Sequence, residues 1–90
     1  MSSVDAYQLE LAAEEEIERA CDMTWRELSR VMPWGDVYEG ITPGGATAQF
    51  ERSYLWADQP GGDILCEVAV YPDPRSYERA ARRKRIIVKR

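Results

Sequence analysis

The chain has 90 residues, 44% hydrophobic and 31% charged, with 12 Lys and Arg against 16 Asp and Glu, two Cys and no His. That length holds one small domain over residues 1–90 and excludes a second; it buries only about 60–65% of the surface the unfolded chain exposes, which argues against a large internal active site. The lack of His removes the commonest general base near neutral pH, the Ser-His and Cys-His nucleophile pairs and most transition-metal sites, so no catalytic residue, cofactor or metal is expected.

From Tyr7 to Met32 the residues Leu9, Ala13, Ile17, Ala20, Cys21, Thr24, Leu28 and Val31 recur at steps of three and four, which places them on one helical face with a Glu-rich face opposite. Thr24 and Glu27 have capping-box spacing and Asp22 disfavours a helix interior, so the stretch divides into helices at about 4–21 and 24–32, with one continuous helix as the alternative. Pro33 ends the helical region at Met32.

A loop through Trp34-Gly35-Asp36 leads to a short strand, Val37–Ile41, and a Thr42-Pro43-Gly44-Gly45 turn. Residues 46–57 alternate, with Ala48, Phe50, Arg52, Tyr54 and Trp56 on the apolar face. A full 12-residue strand would span about 40 Å, so a bulge is expected, with Arg52 as its marker. Asp58–Asp63 reads as a turn and Ile64–Tyr71 as a third strand with Ile64, Cys66, Val68 and Val70 inward. After Pro72-Asp73-Pro74, a short helix is expected over 75–83 and a closing strand over 85–89. The order specifies a two-layer α+β domain: an N-terminal amphipathic helix, or two helices, on a three- to four-stranded, mainly antiparallel sheet.

Charge is polarised along the chain. Residues 1–22, an acidic helical segment that could act as an arm, carry −6; residues 23–74 carry −5; the basic C-terminal segment 75–90 carries +7. Such asymmetry suits an acidic or nucleic-acid partner at the basic end, or pairing of the two ends within the fold. No apolar run approaches the roughly 18 residues of a membrane span and the N-terminus lacks a secretory pattern, so a soluble, cytoplasmic protein with no membrane partner is expected.

Three surfaces are candidates for binding. On the acidic helix, Glu14, Glu15 and Glu18 are expected on a solvated face; Glu14, Glu15 and Glu16 point about 100° apart and cannot converge on a metal. Trp34 stands out as an exposed aromatic, and Leu55, Leu65 and Tyr71 share the sheet face away from the helices. The basic set Arg79, Arg82, Arg83, Lys84, Arg85 and Lys89 offers contacts to phosphates, opposed by the acidic remainder of the chain, with Tyr77 placed to stack on a base. Cys21 and Cys66 both fall on inward faces and are expected as free thiols.

The reading these features favour is a small non-catalytic protein-binding module, of the accessory, regulatory or inhibitor kind that phages and mobile elements carry, acting on a protein partner or a second copy of itself. The alternative is a nucleic-acid-associated protein that contacts phosphates through its C-terminus.

Overall fold

A computed structural model describes residues 5–90. Helix α1 (Ala6–Ala20) and the short helix α2 (Trp25–Ser29) are followed by strands β1 (Trp34–Ile41), β2 (Thr47–Trp56), β3 (Ile64–Tyr71) and β4 (Ala81–Ile87), with a 3-10 turn at Tyr77–Arg79. The strands form an antiparallel meander in the order β1-β2-β3-β4. The fold is the expected two-layer α+β arrangement. Position 4, the expected start of the first helix, lies outside the described residues.

Local chemistry sets the helix boundaries. The Asp5 carboxylate accepts the Gln8 N–H at 2.9 Å, capping α1. At α2 the Thr24 hydroxyl accepts the Glu27 N–H at 3.1 Å and the Glu27 carboxylate accepts the Thr24 N–H at 3.0 Å, so the helices divide at the capping box. Leu9, Ala12, Ala13, Glu16, Ile17 and Ala20 form the buried stripe of α1, which lies over β3 and β4. It meets Phe50 and Tyr54 of β2 and Ile64, Cys66, Val68 and Val70 of β3, the main part of the hydrophobic core. Burying an aliphatic or aromatic side chain of this size stabilises by about 1.5–3 kcal/mol. The Tyr54 hydroxyl donates to the Ala20 carbonyl at 2.8 Å, fixing the end of α1 to the sheet.

Three local expectations are corrected. Trp34 opens β1 opposite Tyr54 and is not in a loop, because the two rings stack at 5.3 Å and draw residues 34–36 into the ladder. Strand β2 carries no bulge: its register with both neighbours is unbroken through Arg52, whose charge is met by partners at the sheet margin. Residues 75–83 do not form a helix. Only the three-residue turn Tyr77–Arg79 forms, and β4 begins at Ala81, which is buried opposite Val70. Pairing with β3 satisfies backbone groups along the whole run Ala81–Ile87, a larger gain than one or two helical turns between prolines and a core alanine.

Candidate functional site

The helix covers only part of the inner sheet face, and the uncovered margin on β1 and β2 holds a polar–aromatic cluster. Trp34, Asp36 and Tyr38 alternate onto this face of β1, and Arg52 stands directly opposite Asp36 on β2. Arg52 grips Asp36 with two bonds, Nε to Oδ1 at 2.9 Å and Nη2 to Oδ2 at 2.6 Å. Its guanidinium sits 5.2 Å from the Trp34 ring and 5.4 Å from the Tyr38 ring, a cation flanked by two aromatic faces. Tyr38 in turn stacks on Phe50 at 5.3 Å over Gly40, where a Cβ would come within 2.8 Å of the Phe50 ring.

Glu16 joins this cluster to the helix. It is 1% exposed, so the solvated face expected for the acidic run does not include it. One carboxylate oxygen accepts from Arg19 Nη2 at 2.7 Å and the other from the Tyr38 hydroxyl at 2.6 Å, with Arg52 Nε 3.8 Å away. A buried carboxylate is tolerated when both its oxygens are hydrogen-bonded and a cation is paired with it, as here. Burial, then the hydrogen bond to Glu16, pushes the Tyr38 phenol up to about 12. Hydrogen bonds to Asp36 and to Glu16 raise Arg52 and Arg19, respectively, above the ordinary arginine value.

The residues singled out in the sequence do not converge. Glu15 and Glu18 are exposed on α1, whereas Glu14 accepts from Arg83 Nε at 2.8 Å and Glu10 pairs with Arg83 Nη2 at 2.6 Å, so acidic helix and basic strand neutralise each other there. Leu55 is on the outer sheet face in a cross-strand row with Leu65 and Ile86. Tyr71 is buried: the Tyr77 ring packs against it edge-on at 5.0 Å and its hydroxyl donates to Glu51.

In the basic set, Arg82 lies over Tyr77 at 4.6 Å and donates to its hydroxyl, Arg83 is held by α1, and Lys89 Nζ lies 5.5 Å from the Trp25 ring. Arg79 is exposed in the 3-10 turn. Lys84 and Arg85 are exposed on β4, with no carboxylate in ion-pair range among the described residues.

Two hollows flank β4. One of about 280 Å³ on the outer face mixes Glu51 and Glu67 with Tyr77, Arg82 and Lys84. The other, an open groove of about 790 Å³ where the α1–α2 turn meets the end of β4, is lined by Trp25, Arg26, Arg85, Ile87 and Arg90 among others.

Both cysteines are free; burial, and next the proximity of Cys21, push the Cys66 thiol up to about 12, which keeps it protonated and unreactive. Among the described residues no three His, Cys, Asp or Glu side chains are grouped to hold a metal ion, and no helix is long and apolar enough to cross a membrane.

Sequence reasoning missed Glu16, Asp36, Tyr38 and the role of Arg52. A signal existed for two of them: Glu16 falls seven residues after Leu9 and four before Ala20, in phase with the buried stripe, and alternation alone placed Arg52 on the inner face. No family model, curated protein or solved structure matches the chain.

Proposed function

We propose that the chain is a small non-catalytic protein-binding module that receives an extended segment of its partner along the free edge of β1. The observation that carries this reading is the combination of an unpaired strand edge with apolar side chains on both its faces. Val37 and Ile41 are 52% and 64% exposed on one face, and Trp34 and Tyr38 are 38% and 36% exposed on the other. Strand addition uses such a site: backbone bonds supply affinity and alternate side chains supply specificity. The Trp34–Arg52–Tyr38 stack beside the edge presents rigid aromatic surface, the type of group that dominates interface energetics. The free thiols suit a reducing, cytoplasmic setting, and the absence of His with Cys66 held protonated fits a role without catalysis.

Affinity capture from the cells that make the protein tests this reading when wild type is compared with Val37→Lys and Trp34→Ala. The expected result is a captured protein lost with both variants but kept with Lys84→Ala. Capture indifferent to both β1 variants overturns it.

A second reading, contact with nucleic acid along β4, is favoured by Lys84 on its outer face and Arg85 on its inner face, neither with a carboxylate in ion-pair range among the described residues, and by Arg26 and Arg90, which line one groove with Arg85. Titration of a single strand against salt would then show affinity falling steeply, with a slope reduced by about one for Lys84→Ala. No binding at low salt removes this alternative.

A further inference from the structure

We infer that the partner strand on β1 is β1 of a second copy of this chain, paired antiparallel about a twofold axis at Tyr38 so that the two sheets join into one. The inference rests on the strand-acceptor reading above and names its occupant.

The backbone phase defines which groups are available. The Thr42 N–H donates to the Ala46 carbonyl at 2.7 Å, which marks that pair as hydrogen-bonded across the β1–β2 hairpin. Bonded and non-bonded pairs alternate along an antiparallel ladder, so Trp34, Asp36, Tyr38 and Gly40 direct their N–H and C=O groups to β2. Gly35, Val37, Glu39 and Ile41 direct theirs outward, and no other described group bonds them.

The two sheet edges are defended unequally. β4 presents Arg82, Lys84 and Arg85, the charged guard that keeps edge strands from pairing. Between Gly35 and Ile41, β1 has no cation, no proline and no break in register. Of its two acids, Asp36 is already neutralised by Arg52, leaving Glu39.

Prolines flank this stretch on both sides and select the register. With the twofold at Val37, Ile41 would meet Pro33 of the other copy, which has no N–H to give. Centring on Glu39 sets Gly35 against Pro43, and it also brings the two Glu39 carboxylates directly opposite each other. Only the axis at Tyr38 pairs Gly35 with Ile41 and Val37 with Glu39 in both directions, using every outward group and making about eight backbone hydrogen bonds.

Side chains fit the same register. Ile41 falls beside the bare Gly35 of the other copy, and Val37 lies along the stem of Glu39. On the inner face the two Tyr38 rings meet, so the exposed apolar residues of β1 are those the pairing covers. Such an interface is isologous and closes at two copies.

The test is backbone amide hydrogen exchange on the full chain, with sedimentation equilibrium over about a hundredfold range of concentration. The expected result is a mass that doubles from 10.3 kDa with concentration, as the amides of Gly35, Val37, Glu39 and Ile41 gain protection together. Those of Asp36, Tyr38 and Gly40 are protected throughout. Val37→Lys, with its far-ultraviolet circular dichroism unchanged, returns the mass to that of one copy.

Three results from these two measurements alone overturn the inference. One is a single-copy mass throughout with the four outward amides unprotected; another is a dimer in which those amides still exchange freely, so that another face pairs. The third is an open-ended polymer that protects β4 amides such as that of Lys84. A single-copy chain whose four outward amides become protected only with a captured partner refutes self-pairing and leaves the strand-acceptor reading standing. Capture insensitive to the β1 variants refutes both.

Discussion

Glu16→Gln probes the polar link between the two layers. The substitution keeps the side chain's shape and removes its charge. Glutamine retains one acceptor oxygen, so Arg19 and the Tyr38 hydroxyl can no longer both be satisfied as they are by the carboxylate. A hydrogen bond to a charged group contributes about 1.5–3 kcal/mol. Breaking a fully buried ion pair costs about 3–5 kcal/mol, but the Arg19 and Arg52 side chains here are 60% and 26% exposed and water can replace part of the loss. The expected destabilisation is therefore about 1.5–2 kcal/mol, a fall in Tm of about 6–16 °C for a chain of this size. Urea and thermal unfolding followed by circular dichroism measure it, with the exposed neighbour Glu15→Gln as control, expected within about 0.5 kcal/mol of wild type. Combining Glu16→Gln with Tyr38→Phe should show a coupling of at least about 0.5 kcal/mol. A Glu16→Gln effect no larger than that of Glu15→Gln, or a cycle with no coupling, would refute the assignment of Glu16 as a satisfied buried carboxylate.

Burial is the first cause that holds both Tyr38 and Tyr54 at about 12. Because the folded state favours their neutral form, this contribution to stability is complete below the ordinary tyrosine pKa near 10 and is lost as pH rises towards 12. Tyrosinate absorbance should show late titration alongside falling stability; one common step near pH 10 contradicts it. Thr24→Ala should cost about 1 kcal/mol at neutral pH, the usual loss for an N-cap, as read by urea unfolding. The Glu27 carboxyl is held below its ordinary value by the Thr24 backbone and side-chain hydrogen bonds, so the carboxylate's own contribution exists above the ordinary glutamate range and disappears as pH falls through the lowered pKa. A Glu27→Ala destabilisation that stays unchanged at pH 3 would count against the capping box. In a thiol-reagent assay at pH 8, folded protein should modify no more than Cys21 quickly, with Cys66 following at the rate of unfolding; simultaneous reaction of both would show Cys66 to be accessible.

Much of the fold is legible because it is encoded locally. The stripe Leu9-Ala13-Ile17-Ala20, the Thr24–Glu27 box and the alternation of Phe50, Tyr54 and Trp56 each report an element without knowledge of its neighbours. β4 is different. Arg82 to Arg85 are all charged and have no polarity pattern, so only pairing with β3 reveals that Arg83 faces the helix while Arg82 and Lys84 face away. Trp34 was misplaced for a related reason: its strand conformation comes from stacking on Tyr54, a residue 20 positions away. The polar cluster was hardest to read because Glu14, Glu15 and Glu16 are chemically identical. Helical phase separates them, and a reading by charge alone erases that phase.

The bridge from Arg83 to Glu14 joins positions 69 residues apart, whereas the sheet grows through consecutive hairpins. Loop-closure entropy rises with the length of chain closed, so its larger share falls on the docking of α1 and not on formation of the sheet. During synthesis α1 emerges well before β4. Its apolar stripe has no complete surface to rest on until that last pairing in the meander is made, and a 15-residue helix is only marginally stable in water before it docks.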